Sequence, residues 1–412
     1  MQEEQTDSRY AALRLCVTLA LMTIGGSGMY VVAVVLPAVQ AEFGVARADA
    51  SLPYTLLMIG FGVGGMLMGR LADRRGVMWP LLIGAAGLSL GYVAAGLSNS
   101  IGAFTLAHGV LIGLLGSSTT FAPLIADTSL WFVRRRGIAV AVCASGNYLA
   151  GAIWPPIVQH FVESVGWRQT YFGLAAFSAV GMTLLALLMR RRPPLHAPAA
   201  TAARITPAFA TGRPFGLSPN AAQALLCVAG VACCTAMAMP QVHIVAYCGD
   251  LGFGAARGAQ MLSLMLACGI VSRLVSGAIC DRIGGLRTLL LGSVLQGLAL
   301  LLFLPFDGLV SLYVISALFG LFQGGIVPSY AIIVREHFAP AEAGTRVGMV
   351  LMFTLLGMAL GGWMSGKVFD LTGSYHAAFI NGVAWNLLNL AIVVFLMRQV
   401  FRKAPLTPAL SP

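Results

Sequence analysis

The chain has 412 residues, of which 58% are hydrophobic and 9% charged, with a mean hydropathy of +0.86. A soluble domain carries roughly a quarter charged residues, so this composition excludes a soluble globular protein and calls for a bilayer as solvent. The net charge of +11 falls in short clusters between apolar runs, which suits loop anchoring at a membrane and excludes a nucleic-acid groove.

In chain order, the first segment, "MQEEQTDSRYAALR", is acidic and polar and leads into an apolar run with no small-residue cleavage site. A retained first span is expected, and no removable signal peptide. Crossing a bilayer takes roughly 20 apolar residues. Twelve runs qualify, at about 13–39, 51–69, 77–97, 101–128, 138–162, 167–189, 221–247, 257–280, 286–305, 309–334, 346–369 and 375–397. Between the sixth and seventh lies a Pro-, Ala- and Arg-rich stretch without apolar period, a linker. The expected organisation is a six-helix half over 1–189, a cytoplasmic linker over 190–220, a second half over 221–397 and a cytoplasmic tail over 398–412.

The eight cysteines almost all fall inside apolar segments without a CxxC pair, so they predict neither a disulfide framework nor a metal site. Basic residues set the orientation. With both termini cytoplasmic, twenty of the 25 Lys and Arg face the cytoplasm and four, Arg47, Arg168, Arg257 and Lys367, face the other side. Arg273 alone belongs to neither side.

The halves repeat each other. "GRLADRRG" at 69–76 returns as "GAICDRIG" at 277–284, an offset of 208, and "GWRQTYF" at 166–172 returns as "GSYHAAF" at 373–379, an offset of 207. Duplicated six-helix halves rock about a site at their interface. Arg273 sits eight residues before Asp281, about 12 Å along a helix and near the midplane of a ~30 Å apolar core. Such a charge costs at least about 2.5–3.5 kcal/mol unless it faces a cavity or a partner. The positions one turn away are Gly269 and Gly277, so its own helix offers no carboxylate. A guanidinium left this way suits a bidentate carboxylate from a ligand; the alternative is an arginine satisfied by carbonyls of a broken helix.

The pattern G-x-(L/I)-x-D-R-x-G after the second helix of each half resembles the signature loop of the major facilitator superfamily. The resemblance implies an all-α integral membrane fold of twelve transmembrane helices in two pseudo-symmetric six-helix halves. It also implies gating roles for Asp73, Arg74, Asp281 and Arg282, which would clamp neighbouring helix ends in one conformer; plain topology-setting charge is the alternative. "LPAVQAEFGVARADAS" (36–51), "WFVRRRGIAVAVCASG" (131–146), "GWR" (166–168) and "MPQVHIVAYCGDLGFG" (239–254) look like stretches of the monocarboxylate porter family, whose branches include animal carriers and a bacterial oxalate:formate exchanger. The spacing R-x-x-x-G-x-x-x-D at Arg273 resembles that family's helix eight, whose arginine binds the substrate carboxylate.

The chain also departs from the family. "TIGGSGMYVVAVV" lacks the acid and the lysine of the animal branch's first helix, and Gly269 stands where that branch has a proton-coupling Asp. The exchanger's second cation, a lysine in helix eleven, has only Lys367 near it, at the outer helix end. One central cation favours one carboxylate over two. Coupling then falls to His243, to a substrate carrying its own proton, or to anion exchange. His243 is a substrate or proton ligand on this reading, or else a helix-end histidine bonded to backbone. Tyr30, Tyr54, Asn147, Tyr148 and Tyr330 are candidate cavity residues or packing residues. His108 and Asp127 are less clear, Asp127 being close enough to the basic triplet 134–136 to pair with it. Glycine-rich stretches at 25–28, 60–69 and 357–366 predict close, sliding helix contacts.

No nucleotide loop, GxSxG elbow, metal-spaced set or paired carboxylate occurs. The chain therefore reads as a non-enzymatic, cofactor-free secondary transporter in the cell membrane. It would move a small organic anion, a monocarboxylate by preference, by proton symport or anion exchange. The alternatives are a drug or metabolite efflux antiporter of the same superfamily and a non-transporting sensor.

Overall fold

The computed structural model describes residues 7–132, 136–192 and 213–403. Within them, twelve helices are long and apolar enough to cross a membrane. These are α1 (Arg9–Phe43), α2 (Arg47–Arg75), α3 (Met78–Gly96), α4 (Ile101–Trp131), α5 (Ile138–Val165) and α6 (Trp167–Leu188) in one half, and α7 (Pro219–Asp250), α8 (Ala255–Ile283), α9 (Gly285–Leu302), α10 (Leu309–His337), α11 (Glu342–Thr372) and α12 (Tyr375–Val400) in the other. The described residues contain no strand. This is the twelve-helix membrane fold that the sequence led us to expect.

The helices outrun their apolar stretches because polar caps extend them. Ser8 Oγ accepts from Ala11 N at the start of α1, Gly44 closes its other end at φ +61°, and Ser218 caps α7 just ahead of Pro219. Helix continues past residue 397 as far as Lys403, so the expected tail begins as an extension of α12. Most of the expected linker, 193–212, lies outside the described residues.

Three spans are broken. α1 is interrupted at Gly26. α4 widens to i→i+5 turns over Ala107–Gly116 and tightens over Ser117–Thr120, while α10 breaks at Gly324 and Gly325. Gly116 and Gly324 are separated by the same 208 residues as the signature loops, so the duplication extends to the irregularities. Glycine is required at the second break: a Cβ on Gly324 would lie 2.5 Å from the Gly269 carbonyl oxygen. The backbone N–H freed there donates to Ser272 Oγ at 3.1 Å.

The outward faces of α6, α9 and α12 expose Val180, Leu184, Leu298 and Leu387, apolar surface that suits lipid contact. The halves meet along α2 with α11, α5 with α8 and α1 with α7. One expectation is revised here. Asp127 pairs with Arg14 of α1, which donates from Nε and Nη2 at 3.0 Å each, and both side chains are buried. Arg14 is therefore a core cation, stacked 4.7 Å from the Trp131 ring, and not a loop anchor. The triplet 134–136 lies outside the described side chains.

Candidate functional site

A cavity of about 520 Å³ opens between the halves at the end carrying the two signature loops. Arg70 and Asp73 stand at its mouth; Tyr30, Asn147, Tyr148 and Arg273 line it deeper in. Asp73, Arg74, Asp281 and Arg282 are all exposed and form no ion pair among the described residues, so in this conformation these four side chains clasp nothing there.

Arg273 reaches across the interface. Its Nη1 donates to the Ala144 carbonyl of α5 at 3.0 Å, and its guanidinium lies 4.3 Å from the Tyr148 ring centroid. No described carboxylate pairs with it, and its buried Nε has no hydrogen-bond partner. Tyr148 can lie there because of Gly269, where a Cβ would be 2.5 Å from Tyr148 Cε1. The space beside Gly269 is filled by an aromatic ring. Tyr30 passes over Gly151 in the same way. The hydroxyls of Tyr30, Tyr54 and Tyr148 and the Asn147 amide make no hydrogen bond within the described residues, leaving them free for a ligand.

His243 and Tyr330 do not line this cavity. His243 is fully buried, with Nε2 2.8 Å from the Gly362 carbonyl oxygen and Nδ1 3.3 Å from the Tyr375 hydroxyl. Tyr330 is equally buried and donates to Asn389 Oδ1 at 3.1 Å. His108 is a satisfied core histidine between the Phe104 carbonyl and the Tyr171 hydroxyl.

The end opposite the mouth is closed by a cluster centred on Arg47, which the charge count treats only as an outer anchor. Its guanidinium donates to both oxygens of Asp250, at 3.1 and 3.3 Å, and to the Tyr375 hydroxyl at 2.5 Å. The backbone N–H groups of Arg47 and Ala48 each donate to Asp370 at 2.8 Å. The first turn of α2 is thus capped by a carboxylate from α11, across the halves. Below it, Thr55 Oγ1 donates to the Ala359 carbonyl at 3.0 Å, and a Cβ on Gly362 would lie 2.9 Å from the Tyr54 ring. The glycine stretch at 357–366 permits this approach. The cluster draws on residues hundreds of positions apart, and in the sequence only the isolated "VARADA" and "KVFDLTG" hinted at it. Also missed were Gln241, which lines the cavity and bonds Gln323 at 2.8 Å, and the methionines of the wall.

The sequence profile of the Major Facilitator Superfamily matches residues 17–312 and again 261–411. The chain belongs to the Major Facilitator Superfamily. Among similar proteins, monocarboxylate transporter 13 of Rattus norvegicus is 28% identical over 357 residues, 84% of this chain and 78% of its own length. The MFS-type transporter opdF of Penicillium oxalicum is 26% identical over 333 residues, 80% of this chain and 76% of its own. A solved bacterial homologue of the human lysosomal transporter Spinster, in an inward-facing and unoccupied conformation, superimposes with a TM-score of 0.69. It covers 95% of both chains at 14% identity, a likeness of fold. These relatives are transporters, not enzymes.

Proposed function

We propose that the protein is a secondary transporter of a small organic anion, a monocarboxylate, recognised by Arg273 and moved by alternating access across the cell membrane. The observation that carries this is a single deep cation among the described residues lining the cavity between the halves, with no carboxylate partner among them and an unsatisfied Nε. A ligand carboxylate would take two parallel N–H donors from this guanidinium, with Asn147 and Tyr30 as neighbouring donors. The likeness to monocarboxylate transporter 13 supports the same class.

The mouth carries the signature loops and, by the distribution of basic residues, faces the cytoplasm, with both termini on that side. The conformation is then inward-open. Transport proceeds by release of the Arg47 cluster while Asp73, Arg74, Asp281 and Arg282 engage helix ends at the closing mouth. Arg273 is suited to couple binding to this motion because it already spans α8 and α5. Among the described residues no side-chain acid pairs with Arg273, so exchange, or entry of the acid with its own proton, is the coupling we favour. His243, set behind the Arg47 cluster through Tyr375, serves the closed end in this conformer.

The apolar walls favour one second reading, export of a metabolite that does not use Arg273 as a ligand. Counterflow of labelled carboxylates in proteoliposomes, for the intact protein and Arg273→Gln, separates the two: loss of counterflow in the variant supports the anion site, and unchanged counterflow supports the second reading.

A further inference from the structure

We infer that the cavity selects amphipathic monocarboxylates, one carboxylate on an aromatic or branched apolar body, over short acids and over dicarboxylates. This rests on the reading of Arg273 as the anion ligand. Three observations lead to it. The cavity, about 520 Å³ counted to its open mouth, has room for a drug-sized molecule, sites for which run roughly 300–1,000 Å³, and a two- or three-carbon acid is far smaller than this space.

Charge is the second. Among the described lining residues the only other cation is Arg70, at the mouth beside Asp73, and the exposed Lys367 lines nothing here. A second carboxylate on the ligand would lose its water without meeting a cation.

The third is that the cavity has two unlike faces. Polar groups gather on α1, α5 and α8, at Tyr30, Asn147, Tyr148 and Arg273. The facing wall, from α2, α4, α7 and α11, presents Met58, Phe61, Phe121, Met237, Met352 and Met358. Of the polar residues of that wall, Arg70 and Asp73 lie at the mouth, Ser118 Oγ donates to the Leu114 carbonyl at 2.6 Å, and the Tyr54 hydroxyl alone is left without a partner among the described residues. Thr354 Oγ1 donates to the Leu351 carbonyl at 2.7 Å, Gln241 bonds Gln323, and Tyr54 packs against Gly362. Thioethers are flexible and polarisable, and they adapt to an aromatic or branched body without fixing one shape. A ligand with its carboxylate on Arg273 and its body toward α11 satisfies both faces; propionate satisfies one.

The test is equilibrium binding by titration calorimetry to the purified full chain, using 3-phenylpropionate, propionate, phenylsuccinate and the uncharged 3-phenylpropionamide. The expected result is 3-phenylpropionate binding at least tenfold tighter than propionate and phenylsuccinate, with all binding lost in Arg273→Gln. Met358→Ser is expected to weaken 3-phenylpropionate at least fivefold and propionate less than twofold, and Met358→Leu to retain both. If propionate or phenylsuccinate binds as tightly as 3-phenylpropionate, and Arg273→Gln binds none of them, the amphipathic selection is wrong and the anion site stands. If 3-phenylpropionamide matches the acid and Arg273→Gln is indifferent, the anion reading falls and this inference with it. A monodisperse intact protein that binds neither acid at millimolar concentration overturns both.

Discussion

Arg273 of α8 rests on Tyr148 of α5, guanidinium to ring centroid 4.3 Å, so the deep cation of one half is seated on a helix of the other. A desolvated cation–π contact contributes up to about 2 kcal/mol. Tyr148→Leu should therefore keep the charge and lose its seating. We expect the dissociation constant for a transported acid to rise about tenfold, read by binding to the purified variant, together with a modest loss of thermal stability from the missing contact.

Gly269 makes that seating fit, since a Cβ there would press on Tyr148 Cε1. Overpacking of a filled interface costs typically about 1–3 kcal/mol. Gly269→Ala is expected to lower the melting temperature and to weaken acid binding together, whereas Gly277→Ala, where a Cβ meets nothing within 4 Å, should change neither.

The Arg47 cluster should hold the closed end shut. Asp370→Asn keeps shape but removes the charge that accepts from the Arg47 and Ala48 backbone N–H groups, and loss of such a helix cap costs about 0.5–2 kcal/mol. Spin labels at the exposed positions Asp49 and Leu371 should show a longer-distance population in the variant that is absent from the intact protein. An unchanged distance distribution would mean that the cluster is not the closing contact.

Arg14 and Asp127 are a buried pair inside one half, away from the cavity. Asp127→Asn should destabilise by about 3–5 kcal/mol because Arg14 is left uncompensated, while the double variant Arg14→Met, Asp127→Leu should recover most of the loss. Thermal unfolding in detergent, with binding measured in parallel, checks both the size of the effect and its confinement to stability.

The twelve spans and the doubled halves were legible because length and hydropathy are local properties and the repeats lie in plain sequence. Arg273 was legible because a lone charge in an apolar run stands out against its own helix. The Arg47 cluster was not, because Asp250, Asp370 and Tyr375 each look like ordinary helix-end residues until four helices bring them together. His243 and Tyr330 show the converse error. A polar residue in a span looks like a ligand group, yet each has found an acceptor inside its own half. Asp127 failed for a related reason: nearness in sequence suggested the triplet, while helix packing supplied Arg14.

The central claim is that Arg273 binds the carboxylate of the transported molecule. Its most direct measurement is uptake of labelled monocarboxylates into proteoliposomes by the intact protein and by Arg273→Lys, with and without an imposed inward proton gradient. The account predicts uptake of at least one monocarboxylate by the intact protein and its loss in the lysine variant, which keeps the charge but not the two parallel donors. Uptake by the variant at the intact protein's rate, or no uptake of any carboxylate by either, would contradict it.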